Sequence, residues 1–426
     1  MKRIFRAISP SLLAATMILG LCIPLLIQSS SSAYAQQRHA ERYALPVADN
    51  EFPIWAWGAF FPDTLPPDSC FTLLSEAGCN IAMQTIYTDT TLMARVLDKA
   101  GEYNLKMVFA SSVIGNMDRL PATVSQLKNH PSLLGYFVFD EPSSSEFERC
   151  RQYKDLISRY DPNALTYINL VATWGTFGKS RYGFPNMTDY TEQFIKEVDP
   201  SYLSVDIYPV RTNGGVHVLS DYYATYEALR TACEKYNLPF WAIVDSTALE
   251  PMQYPDETNM RFAAFVPLAY GAQCIIWWTY TIPLSNSEDW TAAPMMPGNR
   301  RTGIWYDMQT INREIQSLKD VFLGCHVTNV WHTGSNLPNG TRRLNELPSP
   351  FTGLDAGDAG ILVSHIVNDG REYLMLVNHD VTGPQNVTLR WRGNTVRKIN
   401  PDGSALRASS GRLTLPAGDY AIFRFK

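Results

Sequence analysis

The sequence predicts an α/β fold: a (β/α)8 TIM barrel followed by a small antiparallel β-sandwich domain. Two patterns carry this prediction. Between residues 51 and 325, eight apolar runs each precede an amphipathic helical stretch. Such runs read as parallel strands covered by helices, and eight units close into a barrel of ordinary size. After Cys325 the helical periodicity stops, and short alternating segments separated by turn residues run to Lys426, as in an antiparallel sandwich. A doubly wound open sheet is the alternative; it would carry a glycine-rich phosphate turn after its first strand, and none follows here.

In chain order, the first strand is IWAWGAFF (54–61), and the helix PPDSCFTLLSEAG (66–78) is opened by prolines and closed by Gly78. The second and third strands are NIAMQTIY (80–87) and LKMVFASS (105–112), with helices over 90–103 and 120–130. The fourth, LLGYFVFD (133–140), precedes a helix over 144–160, and the fifth, LTYINLV (165–171), one over 188–198. YLSVDIYP (202–209), PFWAIVDS (239–246) and CIIWWTYTIP (274–283) complete the eight, with helices over 219–236, 257–271 and 305–322. Residues 51–325 are therefore assigned to the barrel and 326–426 to the sandwich, whose strands include GILVSHIV, REYLMLVNHD, QNVTLRWRG, TVRKINP, GRLTLPAG and DYAIFRFK. The stretch 332–358 reads as a long loop, and the junction near Cys325 lacks a flexible linker, so the two parts are expected to pack together.

The first 35 residues read as an export signal. Lys2, Arg3 and Arg6 precede the apolar run SLLAATMILGLCIPLLI, and SSSSAYA ends in a small-x-small site that predicts cleavage after Ala35. An uncleaved anchor is the alternative. Residues 36–50 are expected to form a flexible leader, and the expected location is secreted or periplasmic. Loss of the three basic residues takes the formal charge from −5 to −8, which gives no electrostatic footprint for nucleic acid. The six remaining cysteines are scattered and the histidines show no ligand spacing, so no metal site and no cofactor are predicted. Nothing in the pattern specifies an oligomer.

A barrel of this kind carries its chemistry at the C-terminal ends of its strands. The fourth strand ends in Asp140-Glu141-Pro142. Pro142 fixes its own φ and biases Glu141 to an extended backbone, while Ser143 to Ser145 supply the helix cap and leave both acids free of that task. The fifth strand carries Asn169; the sixth carries Asp206 and Tyr208 on one face; the seventh ends in Asp245. Trp55 and Trp57 lie on the first strand, and Trp277, Trp278 and Tyr280 on the eighth. Paired carboxylates, an amide and aromatic platforms suit a sugar ring and acid–base work on it. The candidate catalytic residues are Glu141, Asp245, Asp140 and Asp206. The candidate substrate-binding residues are Trp55, Trp57, Asn169, Tyr208, Trp277, Trp278 and Tyr280.

The phrases LLGYFVFDEPS, TYINL, LSVDIYP, PFWAIV and IIWWTY resemble those of the (β/α)8-barrel glycoside hydrolases near clan A, and more narrowly of exported bacterial glycosidase-like proteins with a C-terminal β-sandwich. The resemblance covers about residues 52–426. It implies a glycosidase acting on a poly- or oligosaccharide, with Glu141 as general acid/base. Two departures stand out: Asp140 occupies the place where clan A has Asn, and Asp245 the place of the nucleophilic Glu, with Glu250 five residues further on. An Asp-Glu pair also resembles hexosaminidase-type enzymes, in which the Asp orients the substrate's own 2-acetamido group. A carbohydrate-binding protein on a degenerate barrel and a structural cell-surface module are the non-catalytic alternatives.

Overall fold

The computed structural model describes residues 45, 47, 50–61, 64–84, 89–283 and 289–426. The predicted signal and most of the predicted leader fall outside them. Strands β1 (Ile54–Trp57), β2 (Ile81–Gln84), β3 (Lys106–Phe109), β4 (Leu133–Asp140), β5 (Leu165–Val171), β6 (Leu203–Asp206), β7 (Phe240–Asp245) and β8 (Ile275–Trp278) form a closed barrel. All neighbours pair in parallel, and β1 closes the ring by pairing with β2 and β8. β4 and β5 have the limits the sequence predicts. β1, β3, β6, β7 and β8 stop earlier at their C-terminal ends, because there the chain leaves the sheet to build the rim.

Alternation sorts each strand into two layers. Ile54 and Ala56 face the surrounding helices, whereas Trp55 and Trp57 face the barrel axis. The interior is strongly aromatic: Tyr202 stacks on Trp241 with centroids 3.8 Å apart, and Trp55 lies 4.6 Å from Tyr167. These rings fill the lower barrel. Close approach of β4 to β5 depends on Gly135, where an added Cβ would lie 2.0 Å from the Leu165 carbonyl oxygen. Backbone cannot yield as a flexible side chain does. Gly135→Ala is therefore expected to destabilise the barrel by about 3 kcal/mol, at the upper end of ordinary overpacking; an unchanged urea midpoint would refute this.

The outer layer comprises α1 (Asp68–Glu76), α2 (Thr90–Glu102), α3 (Leu120–Leu127), α4 (Phe147–Tyr160), α5 (Gly175–Tyr182), α6 (Met187–Val198), α7 (Tyr222–Tyr236), α8 (Glu257–Ala269), α9 (Gly303–Ser317) and the short α10 (Lys319–Phe322). Of these, α5 has no counterpart in the sequence prediction. Its eight residues carry almost no amphipathic signal because it sits on the rim rather than against the sheet.

Beyond the barrel, β9 (His326–His332), β10 (Phe351–Asp355), β11 (Ile361–Asn368), β12 (Arg371–Asn378), β13 (Gln385–Trp391), β14 (Arg397–Ile399), β15 (Ala405–Arg407), β16 (Gly411–Leu415) and β17 (Tyr420–Arg424) make two antiparallel sheets. One has the order β9-β11-β12-β17-β14-β15 and the other β10-β13-β16. The predicted loop over 332–358 is corrected here, since β10 lies within it and pairs with β13. The six-stranded sheet buries both faces. Ile361, Val363, Leu374 and Phe423 pack towards the smaller sheet, while Leu362, Ile366, Met375 and Ile422 join the core of the helix layer. Polar contacts secure the joint: the Ser364 hydroxyl donates to the Ala269 carbonyl at 2.7 Å, and Arg261 pairs with Glu314, which also receives the Tyr420 hydroxyl. The sheets thus rest on the barrel, as the absence of a linker implies.

Candidate functional site

A cavity of ≈ 320 Å³ opens at the C-terminal rim of the barrel. β1 contributes Trp57, β4 Asp140, with Glu141 directly after it, β5 Asn169, β6 Asp206, β7 Ile243 and β8 Trp278. Tyr208 and Arg211 follow β6, and Leu249 to Met252 follow β7. The Tyr208 and Trp278 rings stack at 4.7 Å and 22°, giving one flat apolar wall, the kind of surface that accepts the face of a sugar ring.

Asn169 organises the carboxyl groups. Its Nδ2 donates to Asp140 Oδ1 at 3.2 Å and to Asp206 Oδ1 at 3.0 Å. Its Oδ1 accepts from the Ser204 hydroxyl, which is itself bonded to the Tyr167 hydroxyl at 2.8 Å. The amide is only 2 % exposed, and with its oxygen occupied by a hydroxyl donor, its two N–H groups are directed at the two acids.

Burial raises the buried Asp206 carboxyl well above the ordinary range; the charges of Glu141 and Asp140 add to this, and the Asn169 bond partly offsets it. Asp140 opens to solvent on one side, but protein atoms crowd the others. Desolvation first, and Glu141 second, lift its carboxyl to about 6, against the opposing bond from Asn169. Three carboxyl groups so close cannot all ionise cheaply, so the cluster retains a proton towards neutral pH.

Glu141 is held in an unusual way. Its φ is +48°, in the left-handed region, rather than the extended conformation that Pro142 suggests. Proline disfavours the right-handed helical region for its predecessor but does not forbid the left-handed one. Three contacts hold the turn: the Glu141 amide donates to the Asn169 carbonyl at 2.9 Å, the Tyr190 hydroxyl donates to the Pro142 carbonyl at 2.6 Å, and the Tyr182 hydroxyl donates to Glu141 Oε2 at 2.8 Å. A non-glycine residue in this region costs of order 1–2 kcal/mol, so the surrounding bonds maintain a strained backbone that aims this carboxyl into the cavity. Ser143 and Glu146 form the expected helix cap, and neither Asp140 nor Glu141 is used for it.

Of the predicted site residues, Asp140, Glu141, Asp206, Trp57, Asn169, Tyr208 and Trp278 line the cavity. Four do not. Asp245 is 4 % exposed and is not among the residues that line the cavity: it continues the inward-facing row of Trp241 and Ile243, pairs with Trp278 at the end of β8, and is buried within electrostatic reach of Arg211 and Tyr208. Trp55 sits two residues deeper than Trp57 and is wholly enclosed within the barrel. Trp277 points outwards, opposite to Trp278, and its indole N–H donates to Asn312 Oδ1 at 2.8 Å. Tyr280 follows the end of β8 and is buried, its hydroxyl accepting from the Trp305 indole at 3.1 Å. The prediction missed Tyr182, Arg211 and the Leu249–Met252 segment. Among the described residues, no group of three His, Cys, Asp or Glu side chains has the arrangement of a metal site, and the cysteines are free thiols.

A closed parallel barrel with antiparallel sheets behind it and acids at its C-terminal rim is an architecture that glycoside hydrolases use. A β-galactosidase from Bacillus circulans sp. alkalophilus superposes with a TM-score of 0.59, over 88 % of this chain and 99 % of its own, at 9 % identity. A catalytic mutant of Gan42B, a GH42 β-galactosidase from G. stearothermophilus, superposes with a TM-score of 0.53, over 90 % of this chain and 99 % of its own, at 7 % identity. The likeness is one of fold: this chain has the fold of the (β/α)8-barrel glycoside hydrolases. No protein-family model matches the sequence, nor does any curated protein.

Proposed function

We propose that the protein is a glycoside hydrolase acting on a poly- or oligosaccharide, with Glu141 donating the proton to the glycosidic oxygen. The observation that carries this reading is the cluster of Asp140, Glu141 and Asp206 on one aromatic-walled cavity, with Asn169 bridging the two aspartates. A general acid must draw a proton at working pH, and the neighbours of Glu141 supply one, since Asp206 and Asp140 are both shifted towards their protonated forms. Asp206, which lines the cavity as Asp245 does not, is the second catalytic carboxyl, since a nucleophile or base must reach the sugar ring or its attacking water; burial favours its protonated form, so it acts in this role through its ionised fraction. Trp57, Tyr208 and Trp278 form the walls against which the ring packs. The protein is further read as exported; N-terminal sequencing of the mature chain should begin at Gln36.

The test is hydrolysis of a broad panel of glycosides, followed by release of reducing ends between pH 4 and 9. Activity is expected to fall as pH rises through 6 and above, as the retained proton is lost. Asp206→Asn should lower turnover by at least 10²-fold. Any residual activity should show its alkaline limb at lower pH, because one repelling group is gone. Full activity in this variant would exclude Asp206. The absence of a β7 carboxyl from the cavity favours one second reading, substrate-assisted hydrolysis with Asp140 orienting a 2-acetamido group. It requires that Asp140→Asn be crippled, that Asp206→Asn be tolerated and that only 2-acetamido sugars be cleaved. Binding without cleavage across the panel would instead indicate a carbohydrate-binding protein.

A further inference from the structure

We propose that Arg211 makes the cavity selective for sugars that carry an anionic oxygen group, either the carboxylate of a uronic acid or a sulfate ester; this rests on the glycoside-hydrolase reading of the same cavity. The argument begins with what Arg211 lacks. It is half-buried and lines the cavity, yet among the described residues its guanidinium makes no ion pair and no hydrogen bond. Two other sheltered arginines of the barrel layer are paired. Arg230 pairs with Glu227 and Glu234, and Arg261 with Glu257 and Glu314. A guanidinium carries five N–H donors in a planar fork that matches carboxylate and related oxyanions. Withdrawing it from water without a partner is costly, and burial indeed works against its charge.

The position is also prepared in advance. Arg211 ends the short strand Val210–Arg211, which pairs with His217–Val218, and a further bridge joins Arg211 to Met252. On either side, the Gln253 amide donates to the Val210 carbonyl and the Thr212 amide to the Pro251 carbonyl, both at 3.0 Å. The backbone is therefore clamped by the loop that forms the same wall of the cavity. The root of the side chain is thus fixed beside the cavity, and the planar guanidinium fork is itself pre-organised for a bidentate anion.

The nearby acids leave room for an anion at this end. The ionisable neighbours that act on Arg211 are Asp245 and the phenol of Tyr208, which burial keeps neutral, and not the Asp140–Glu141–Asp206 cluster. Asp245 is buried and acts on Arg211 at longer range, with no ion pair between them among the described residues. Glu250 is exposed at the mouth, where its Oε2 takes the Thr212 hydroxyl at 3.5 Å. Asp206 and Asp140 are both shifted towards their neutral forms, so the cavity is less negative than its count of acids suggests.

The experiment compares wild type with Arg211→Met and Arg211→Lys. The substrates are the α- and β-configured 4-nitrophenyl glucuronides and galacturonides, the matching glucosides and galactosides, and the 6-sulfated galactosides. The readout is the ratio of kcat/KM for anionic over neutral substrate. Binding of glucuronic acid, galacturonic acid, galactose 6-sulfate, glucose and galactose to the Glu141→Gln protein, with and without Arg211→Met, is measured by calorimetry. Wild type should favour an anionic series at least tenfold. Arg211→Met should reduce that ratio by on the order of 10²-fold, and Arg211→Lys by less. Whether uronides or sulfated sugars respond identifies the anion. A ratio unchanged in Arg211→Met overturns the proposal and leaves Arg211 as a counter-charge for Asp245. Cleavage of neutral glycosides without cleavage or binding of any anionic sugar overturns it while the hydrolase reading stands. Arg211-dependent binding of the acids without any cleavage supports it and removes the hydrolase reading. Absence of both binding and cleavage removes both.

Discussion

Replacing Glu141 with glutamine is expected to lower turnover of an unactivated glycoside by on the order of 10²–10⁴-fold, the usual contribution of a positioned general acid or base. The substitution is close to isosteric. The glutamine side-chain oxygen can accept the Tyr182 hydroxyl as Glu141 Oε2 does, and the Glu141 amide bond to the Asn169 carbonyl is untouched. What disappears is the titrating proton. Sugar binding and thermal stability should therefore change little. The loss should shrink for a glycoside with an activated leaving group, because such a group departs with less protonation. Wild-type activity on an unactivated substrate would remove Glu141 from the role. An equal loss on activated and unactivated substrates would assign it a different one.

The cluster around Glu141 was legible because it lies at strand ends. A continuous apolar run ending in Asp140-Glu141-Pro142 marks where a buried strand meets the rim, and β4 and β5 end where their apolar runs end. Once eight such ends are placed on one ring, Asn169, Asp206 and Tyr208 must converge with them. The candidates that lie off the cavity do so for physical reasons. Trp277 and Trp278 cannot both face the cavity, since adjacent strand residues point to opposite faces; the sequence alone could have excluded one of them. Trp55 fails by depth rather than direction: it shares a face with Trp57 but lies one inward-facing position lower, among the rings that fill the barrel. Glu141 takes a left-handed backbone because tertiary bonds from Asn169, Tyr182 and Tyr190 outweigh the local preference set by Pro142.

Other parts of the site had no signal to read. Tyr182 reaches Glu141 from α5, a rim helix that packs little apolar surface and so shows no periodicity. Arg211 and the Leu249–Met252 segment come to the cavity through loop pairing, and loop geometry follows from contacts far apart in sequence. The C-terminal sheets divide in the same way. β11 and β12 pair through a tight turn at Asp369-Gly370 and were plain in the sequence, whereas β10 is a short edge strand whose partner β13 lies some thirty residues away.

Asp245 is expected to act through stability rather than turnover. It was read from the sequence as a candidate nucleophile, but its carboxyl is enclosed, and Oδ1 has no hydrogen-bond partner among the described residues. Burial lifts its pKa from 3.8 to about 6, against the opposing effects of its own backbone amide and Arg211. An acid whose folded pKa lies above its unfolded value binds more protons when folded, so stability falls as pH rises between the two values. The penalty is absent below about pH 4, grows through the interval and is complete above about pH 6. A shift of about two units corresponds to roughly 3 kcal/mol. Asp245→Asn cannot ionise and escapes the penalty. Its stability relative to wild type, measured by urea unfolding, should therefore improve by roughly 3 kcal/mol between pH 4 and pH 8. Whatever constant cost the amide brings cancels in that difference. Parallel stability curves for the two proteins would show that Asp245 does not titrate as its burial requires. Turnover provides the second readout, since a residue outside the cavity should not remove it. A loss exceeding 10²-fold in a folded Asp245→Asn protein would return Asp245 to the catalytic set and displace Asp206 from it.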